Sequence, residues 1–380
     1  MSILKQLALI PDPRKDINIK HHLLDVIFLF FAAVLSGASG WKSIQDFGEA
    51  QLDWLKKYGS YHGVSPRRHC IAKIINALDT NLLIQSLFLW INERRQRAGK
   101  TLLAIDGKTL RRTWSEEICT ALHVVSAYDV SEEICTALHV VSAYDVDAGI
   151  TLYQKAANNK GKEGELARQS IDALALDNAI VTLDSLHCQT STSSLITQRK
   201  GNFVVQLKAT QKKLFEQVKQ QFAFAYDSDK LHEYTQTNQG HGRIEKRTVM
   251  QINAELPNEL KAKWPTIRTF IEVASERTKN NVTHCRSRWY VSSLTLNAEQ
   301  AAQAIRLHWG IENQLHWVLD VVFREDELLI KAPDGAAHVA LFNRVVLGVI
   351  KQHKGKQDSI ASKRRRAAWS ADFRSKLIFG

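Results

Sequence analysis

Two aspartates close short apolar runs in this chain, in a setting that suits phosphate chemistry. LLAID (102–106) ends on Asp106, and AIVTLD (179–184) ends on Asp184. Each run has the length and composition of a buried strand, so each carboxylate should emerge at a strand end, on the same edge of a sheet. One carboxylate in such a place commonly caps the following turn. Two on strands expected to be neighbours suggest joint work. Phosphodiester hydrolysis and transesterification use two divalent ions about 4 Å apart to clamp the attacking and leaving oxygens. Mg²⁺ favours carboxylate oxygen and water, so an acidic cluster is the chemical requirement.

A third acid should come from a long helix capped by Asn297, with Glu299 and Gln300 in its first turn, running from Ala298 to about Val322. Its core, IRLHWGIENQLHWVLD (305–320), offers Glu312, Gln314, His316 and Asp320. His308, Glu312, His316 and Asp320 recur at every fourth position, which places them on one face as a polar stripe. Trp309, Trp317 and the leucines around the stripe point to a largely buried helix.

The elements that must hold these residues fall into blocks. Residues 1–95 read as a helical N-terminal domain, with IPDPR as an extended lead-in and helical patterns at 23–35, 41–57 and 71–90. The catalytic core begins over 101–210. Its strands are 102–106, ALHVVSAY, 150–154, 179–184 and 202–208, with a charged helix at 163–174 and another before the last strand. Residues 211–297 break the rhythm and read as a β-rich insertion; 298–352 return to the core as helices. The tail, 353–380, carries KRRR (363–366) and reads as a solvated basic arm. The plan is α/β, with a mixed sheet and flanking helices.

Composition narrows the partner. Fifty-one basic residues against 39 acidic ones give a formal charge of +12, which favours a polyanion, with nucleic acid ahead of an anionic membrane surface. The longest apolar run, Leu23 to Leu35, carries Asp25 and is shorter than the roughly 20 residues that span a bilayer; it reads as a buried helix, with no signal peptide. The five cysteines form no CxxC pair or metal-ligand spacing, consistent with reduced thiols in a cytoplasm. Lys108, two residues past Asp106, could hold a phosphate. Arg243, Lys246 and Arg247 on the insertion are candidate DNA-backbone contacts, whose binding would fall steeply with salt.

SEEICTALHVVSAYDV occurs twice in tandem without a difference, at 115–130 and 131–146. Structural repeats diverge and use larger units, so the pair reads as a recent in-frame duplication. A fold that needs one ALHVVSAY strand has two candidates. The short turn at 147–149 ties the second copy to the next strand as a hairpin, so Ala137 to Tyr144 should enter the sheet. The first copy should loop out, because each doubling of a loop costs only about 0.6 kcal/mol.

Motifs along nearly the whole chain resemble the H-repeat-associated insertion-sequence transposases. They are IPDPR, AIDGKTLR (104–111), ALHVVSAY, IVTLDSLHCQ (180–189), HGRIEKR (241–247), RWYVSSL (288–294), HWGIENQLHWVLDVVFREDE (308–327) and AAWSADF (367–373). The resemblance implies a ribonuclease-H-like core with an acidic triad of DDE type: Asp106 first, Asp184 second and Glu312 third, working with Mg²⁺ or Mn²⁺. Water would cut a strand at the element's end, and the freed 3′ hydroxyl would attack target DNA. Related transposases carry Tyr-x2-Arg-x3-Glu-x6-Lys around the third acid. Here those positions hold Ile305, His308, Glu312 and Leu319, and His308 and Arg306 are the nearest substitutes for phosphate contact. The family's KSNE stands here as KGKE (160–163). The implied setting is a bacterial cytoplasm, nucleoid-associated when bound to DNA, with no membrane partner and with a homodimer allowed. The rival readings are a metal-dependent nuclease on the same core and a decayed transposase that only binds DNA.

Overall fold

The computed structural model describes residues 3–15, 19–93, 101–110, 138–157, 160–226, 228, 230–240, 242–328, 330, 332–353, 355 and 358–380. The first copy of the duplicated segment, and the loop expected of it, lie outside the described residues. Nine strands are described: β1 Leu102–Thr109, β2 His139–Asp145, β3 Ile150–Ala157, β4 Ile180–Leu183, β5 Asn202–Leu207, β6 His232–Gly240, β7 Arg243–Asn253, β8 Thr269–Lys279 and β9 Val282–Ser292. The chain divides into two compact units. The first comprises Met1–Arg97, Gly107–Leu166 and Glu312–Gly380; the second comprises Ala98–Asp106 and Ala167–Ile311.

In the first unit, β2 pairs antiparallel with β3, from His139↔Ala157 to Asp145↔Ile150. The end of β1 joins them through Leu110 N–H, which donates to the Leu138 carbonyl at 2.8 Å. The second copy therefore supplies the strand, as its short tether to β3 requires. The helix Leu23–Leu35 is buried along almost all its length. Its Asp25 carboxylate accepts from Tyr61 N–H at 3.1 Å, which satisfies the charge inside an apolar wall. The helix Pro333–Gln352 meets it through Phe342 and Phe30, whose rings are edge-on at 4.8 Å. The pattern at 41–57 breaks at Gln51 into Trp41–Ala50 and Leu52–Leu55. The one at 71–90 divides between Arg68–Asn76 and Thr80–Glu93.

The basic tail corrects the solvated-arm expectation. It folds into the helices Ile360–Trp369 and Ala371–Phe379. Arg364 is buried: it donates to the carbonyls of Val34 at 2.8 Å and Val322 at 2.6 Å and lies 4.0 Å over the Phe323 ring. Lys363 reaches the carbonyls of Ile350 and His353, and Arg374 stacks 4.1 Å over Trp54. Long cationic side chains bury their stems and give their charged heads to exposed main-chain carbonyls, so a basic run is not necessarily a wet one.

In the second unit the order is β1-β4-β5-β9-β8-β7-β6. β1, β4 and β5 run parallel; β9, β8, β7 and β6 follow antiparallel. This is the mixed α/β plan expected of a ribonuclease-H-like core, with its β-rich insertion before the helix Ala298–His308. Of HGR (241–243), Gly242, at φ +69°, lies in a turn and Arg243 opens β7, while His241 lies outside the described residues. Among the described residues no single helix is long and apolar enough to cross a membrane.

Candidate active site

β1 and β4 are in register from Leu102↔Ile180 to Ile105↔Leu183. Asp106 and Asp184 are the next residue on each strand, so they occupy neighbouring positions on one face, where parallel strands about 4.8 Å apart present their carboxyl ends. Both are partly exposed. Asp184 also caps the short helix Ser185–His187: its Oδ1 accepts from Leu186 N–H at 3.0 Å, and the buried His187 Nε2 lies 3.8 Å away. Capping fixes one carboxylate oxygen and does not compete with a role in binding a cation through the other.

His308 approaches the same face. Its Nδ1 is 3.0 Å from Thr182 Oγ1, and that hydroxyl donates to the Leu103 carbonyl at 3.3 Å. A hydroxyl has one proton to give, so Thr182 accepts from His308 and fixes the Nδ1–H tautomer. Nε2 is then the acceptor nitrogen. Thr182 lies two residues before Asp184, which sets the imidazole on the acidic face of the sheet. Arg306, on the same helix, is exposed. Nothing local in the sequence signals the Thr182–His308 bond, because its partners are 126 residues apart.

The first unit carries Glu312. The expected continuous helix is corrected: the α-helix ends at His308, Glu312–His316 is a π-helix, and Trp317–Val321 resumes the α-helix. A wider turn shifts the phase of a four-residue stripe, and such turns often sit at functional positions. Glu312 opens the π-turn with its side chain 55% exposed, and its Oε2 lies 3.5 Å from Nδ1 of the buried His316. A glutamate and an imidazole at that separation are a suitable donor pair for a divalent cation. Gln314 is engaged elsewhere, accepting from Tyr144 O–H at 3.2 Å. Asp320 is paired with Lys108. The expectation of a buried tryptophan helix is corrected too. Ile311, Leu315, Val318 and Leu319 take the inward face, leaving Trp309 and Trp317 45% and 57% exposed.

Lys108 is 7% exposed, with its Nζ 2.5 Å from Asp320 and 3.1 Å from Asp326. Its charge holds two carboxylates, a structural task in place of the open phosphate contact expected from sequence. Gly107 before it is required by space, since a Cβ there would stand 2.3 Å from His139 Nε2. That nitrogen lies 2.9 Å from Glu163, the last residue of KGKE, in a buried pair that sequence reasoning did not find. On the insertion, Arg243 and Arg247 both contact Glu245 at 2.7 Å, while Lys246 faces Glu276 at 3.8 Å.

Comparison with known proteins gives the family of the chain. Residues 4–91 match the DDE_Tnp_1-associated domain and residues 97–345 match the transposase DDE domain. The H repeat-associated protein YhhI of Escherichia coli K12, named as a transposase, is 28% identical over 389 residues, covering 100% of this chain and 98% of its own. YncI of Escherichia coli O157:H7, also named as a transposase, is 29% identical over 375 residues, covering 97% and 92%. A solved piggyBac transposase synaptic complex with hairpin DNA aligns at a TM-score of 0.45 with 11% identity, covering 100% of this chain and 79% of that one. With the transposase DDE domain spanning well over half its length, the chain belongs to the DDE transposases of the H-repeat-associated insertion-sequence family.

Proposed function

We propose that Asp106, Asp184 and Glu312 are the three acids of this transposase and that Mg²⁺ or Mn²⁺ is the metal they hold. The observation that carries the reading is the placement of Asp106 and Asp184 side by side, on one face, at the carboxyl ends of paired parallel strands. The carboxylates of Asp106, Asp184 and Glu312 are oxygen donors of the kind a hard divalent ion takes. The metal supplies charge neutralisation and a lowered pKa for the attacking water or hydroxyl. The chain's own groups do the positioning. Leu186 N–H orients the Asp184 carboxylate, and Thr182 orients His308 toward the acidic face, where its Nε2 can accept a proton or, once protonated, donate to a phosphate oxygen.

The substrates of this reading are the ends of the element and a target duplex, with cleavage exposing the 3′ hydroxyl that attacks the target. A homodimer in a bacterial cytoplasm is the assembly and setting we propose; the free thiols of Cys70, Cys188 and Cys285 fit a reducing compartment. Incubating the protein with Mn²⁺, a labelled element end and supercoiled plasmid tests the chemistry. The reading predicts labelled plasmid, lost in Asp184→Asn. Nicking without joining would identify a nuclease instead, and binding without either would identify a decayed enzyme.

A further inference from the structure

The second unit carries its charge unequally on the two faces of its sheet. The pairings Leu183↔Val205 and Gln206↔Tyr290 carry the face of Asp106 and Asp184 across β5 to β9. From Tyr290 the same face continues through Arg288 and Arg286; the ladders onto β8 and β7 add Arg277 and Lys279, then Arg243 and Arg247. Six cations on this face meet one acid, Glu245. The reverse face holds Lys246 among Glu233, Glu272 and Glu276. A sheet charged only for solubility would carry both signs interspersed on each face.

Two further observations give that face a direction. β9 pairs with β5 only from Trp289 to Ser292, so the stretch 282–288 runs on past the edge bearing the acids. Seven residues at about 3.4 Å each extend that wall by about 24 Å. The helix Ala298–His308 packs against β4, β5, β6 and β7, and brings Arg306 toward Arg247. Arg247 is held below the ordinary arginine range by burial first, then by repulsion from Arg306 and, more weakly, Arg288. Crowding like charges costs the isolated protein stability and is relieved by a polyanion.

We propose that this face, and not its reverse, is the track that holds a DNA phosphate backbone and leads it into Asp106 and Asp184. Arg277, Lys279 and Arg286 grip the backbone at the far end, and Arg288, Arg247 and Arg306 guide it next to the acids. The inference rests on the transposase reading and divides a set that sequence had grouped: Arg243 and Arg247 lie on the track, while Lys246 lies behind it.

The test uses the full chain and a labelled duplex of about 30 base pairs, with binding followed by anisotropy across a KCl series. Arg277, Lys279 and Arg286 are exposed, so their combined replacement by alanine should leave the thermal midpoint unchanged. Each lost phosphate contact lowers the slope of log K against log salt by about 0.9, so the triple variant should be shallower by about 2.7. Lys246→Ala should match wild type. A triple variant with the wild-type slope, or a Lys246→Ala variant that loses as much per charge, overturns the proposal. Strand joining by the wild-type protein in Mn²⁺, run in parallel, reports separately on the transposase reading. Joining with no face effect sinks only the track; a face effect with no joining sinks only the chemistry.

Discussion

Replacing Ser142 by alanine takes from β2 the hydroxyl that accepts Arg344 Nε–H at 3.0 Å. Both side chains are buried, at 0% and 1% exposure, and Arg344 is otherwise tied to Glu325 and the Ala340 carbonyl at 2.9 Å each. The guanidinium cannot leave to find water, so the substitution strands a charged donor. Hydrogen bonds to charged groups contribute roughly 1.5–3 kcal/mol, and an unmet buried donor costs a similar amount. A loss of about 2 kcal/mol should lower the thermal midpoint by roughly 2–3 °C in a chain of 380 residues, at about 2.1 cal/mol/K of unfolding entropy per residue. Ser126 is the same position in the first copy. Scanning calorimetry or a urea titration of Ser142→Ala, Ser126→Ala and the double variant therefore asks which copy supplies the strand. The account predicts a loss for Ser142→Ala, little for Ser126→Ala, and a double variant equal to the first. Near-neutral single variants with a destabilised double variant would refute it, because they would mean that the copies exchange.

Three other outcomes follow from particular contacts. Thr182→Val keeps the volume but removes the acceptor that fixes His308; strand cleavage should fall about 10-fold, the lower end for losing an orienting partner, with the midpoint moved by only a few degrees. An unchanged rate would deny His308 a positioning role. Burial lowers the Lys351 amine from the ordinary 10.5 to about 8. Between those values the unfolded chain keeps a proton that the folded chain has released, so this residue makes stability rise with pH across that window. Relative to Lys351→Met, wild type should gain up to about 3 kcal/mol from pH 8 to 10.5, and parallel curves would contradict the burial. Deleting residues 358–380 removes buried Phe373, Leu377 and Ile378 at about 1.5–3 kcal/mol each. The truncated chain should unfold several degrees lower; an unchanged midpoint would restore the solvated arm.

What could be read from sequence was what local pattern records. Asp106 and Asp184 stand out because each ends a short, mostly apolar run, LLAI before the first and AIVTL before the second, and the parallel register places them together as the pattern required. The second copy was selected by the shortness of its turn. The misses share a different cause. β6 is HEYTQTNQG, an edge strand exposed along nearly all its length, so it has no apolar alternation to reveal it. The π-turn at Glu312–His316 has no composition of its own and shifts the stripe that α-helical spacing assumes. The bonds of Thr182 to His308 and of Lys108 to Asp320 join residues 126 and 212 apart. Such pairs are set by topology, not by neighbours in the chain. The tail misled because charge usually signals solvent, whereas Arg364 and Arg374 are drawn in by carbonyls and aromatic faces.

The central proposal is chemical: Asp106, Asp184 and Glu312 would hold the metal that serves strand cleavage and joining. Anomalous scattering from Mn²⁺-soaked crystals tests it most directly. The account predicts manganese peaks coordinated by carboxylate oxygens of these three residues, with the Asp106 and Asp184 ligation abolished in Asp106→Asn. Peaks bound elsewhere, with these carboxylates unligated at saturating Mn²⁺, would contradict it.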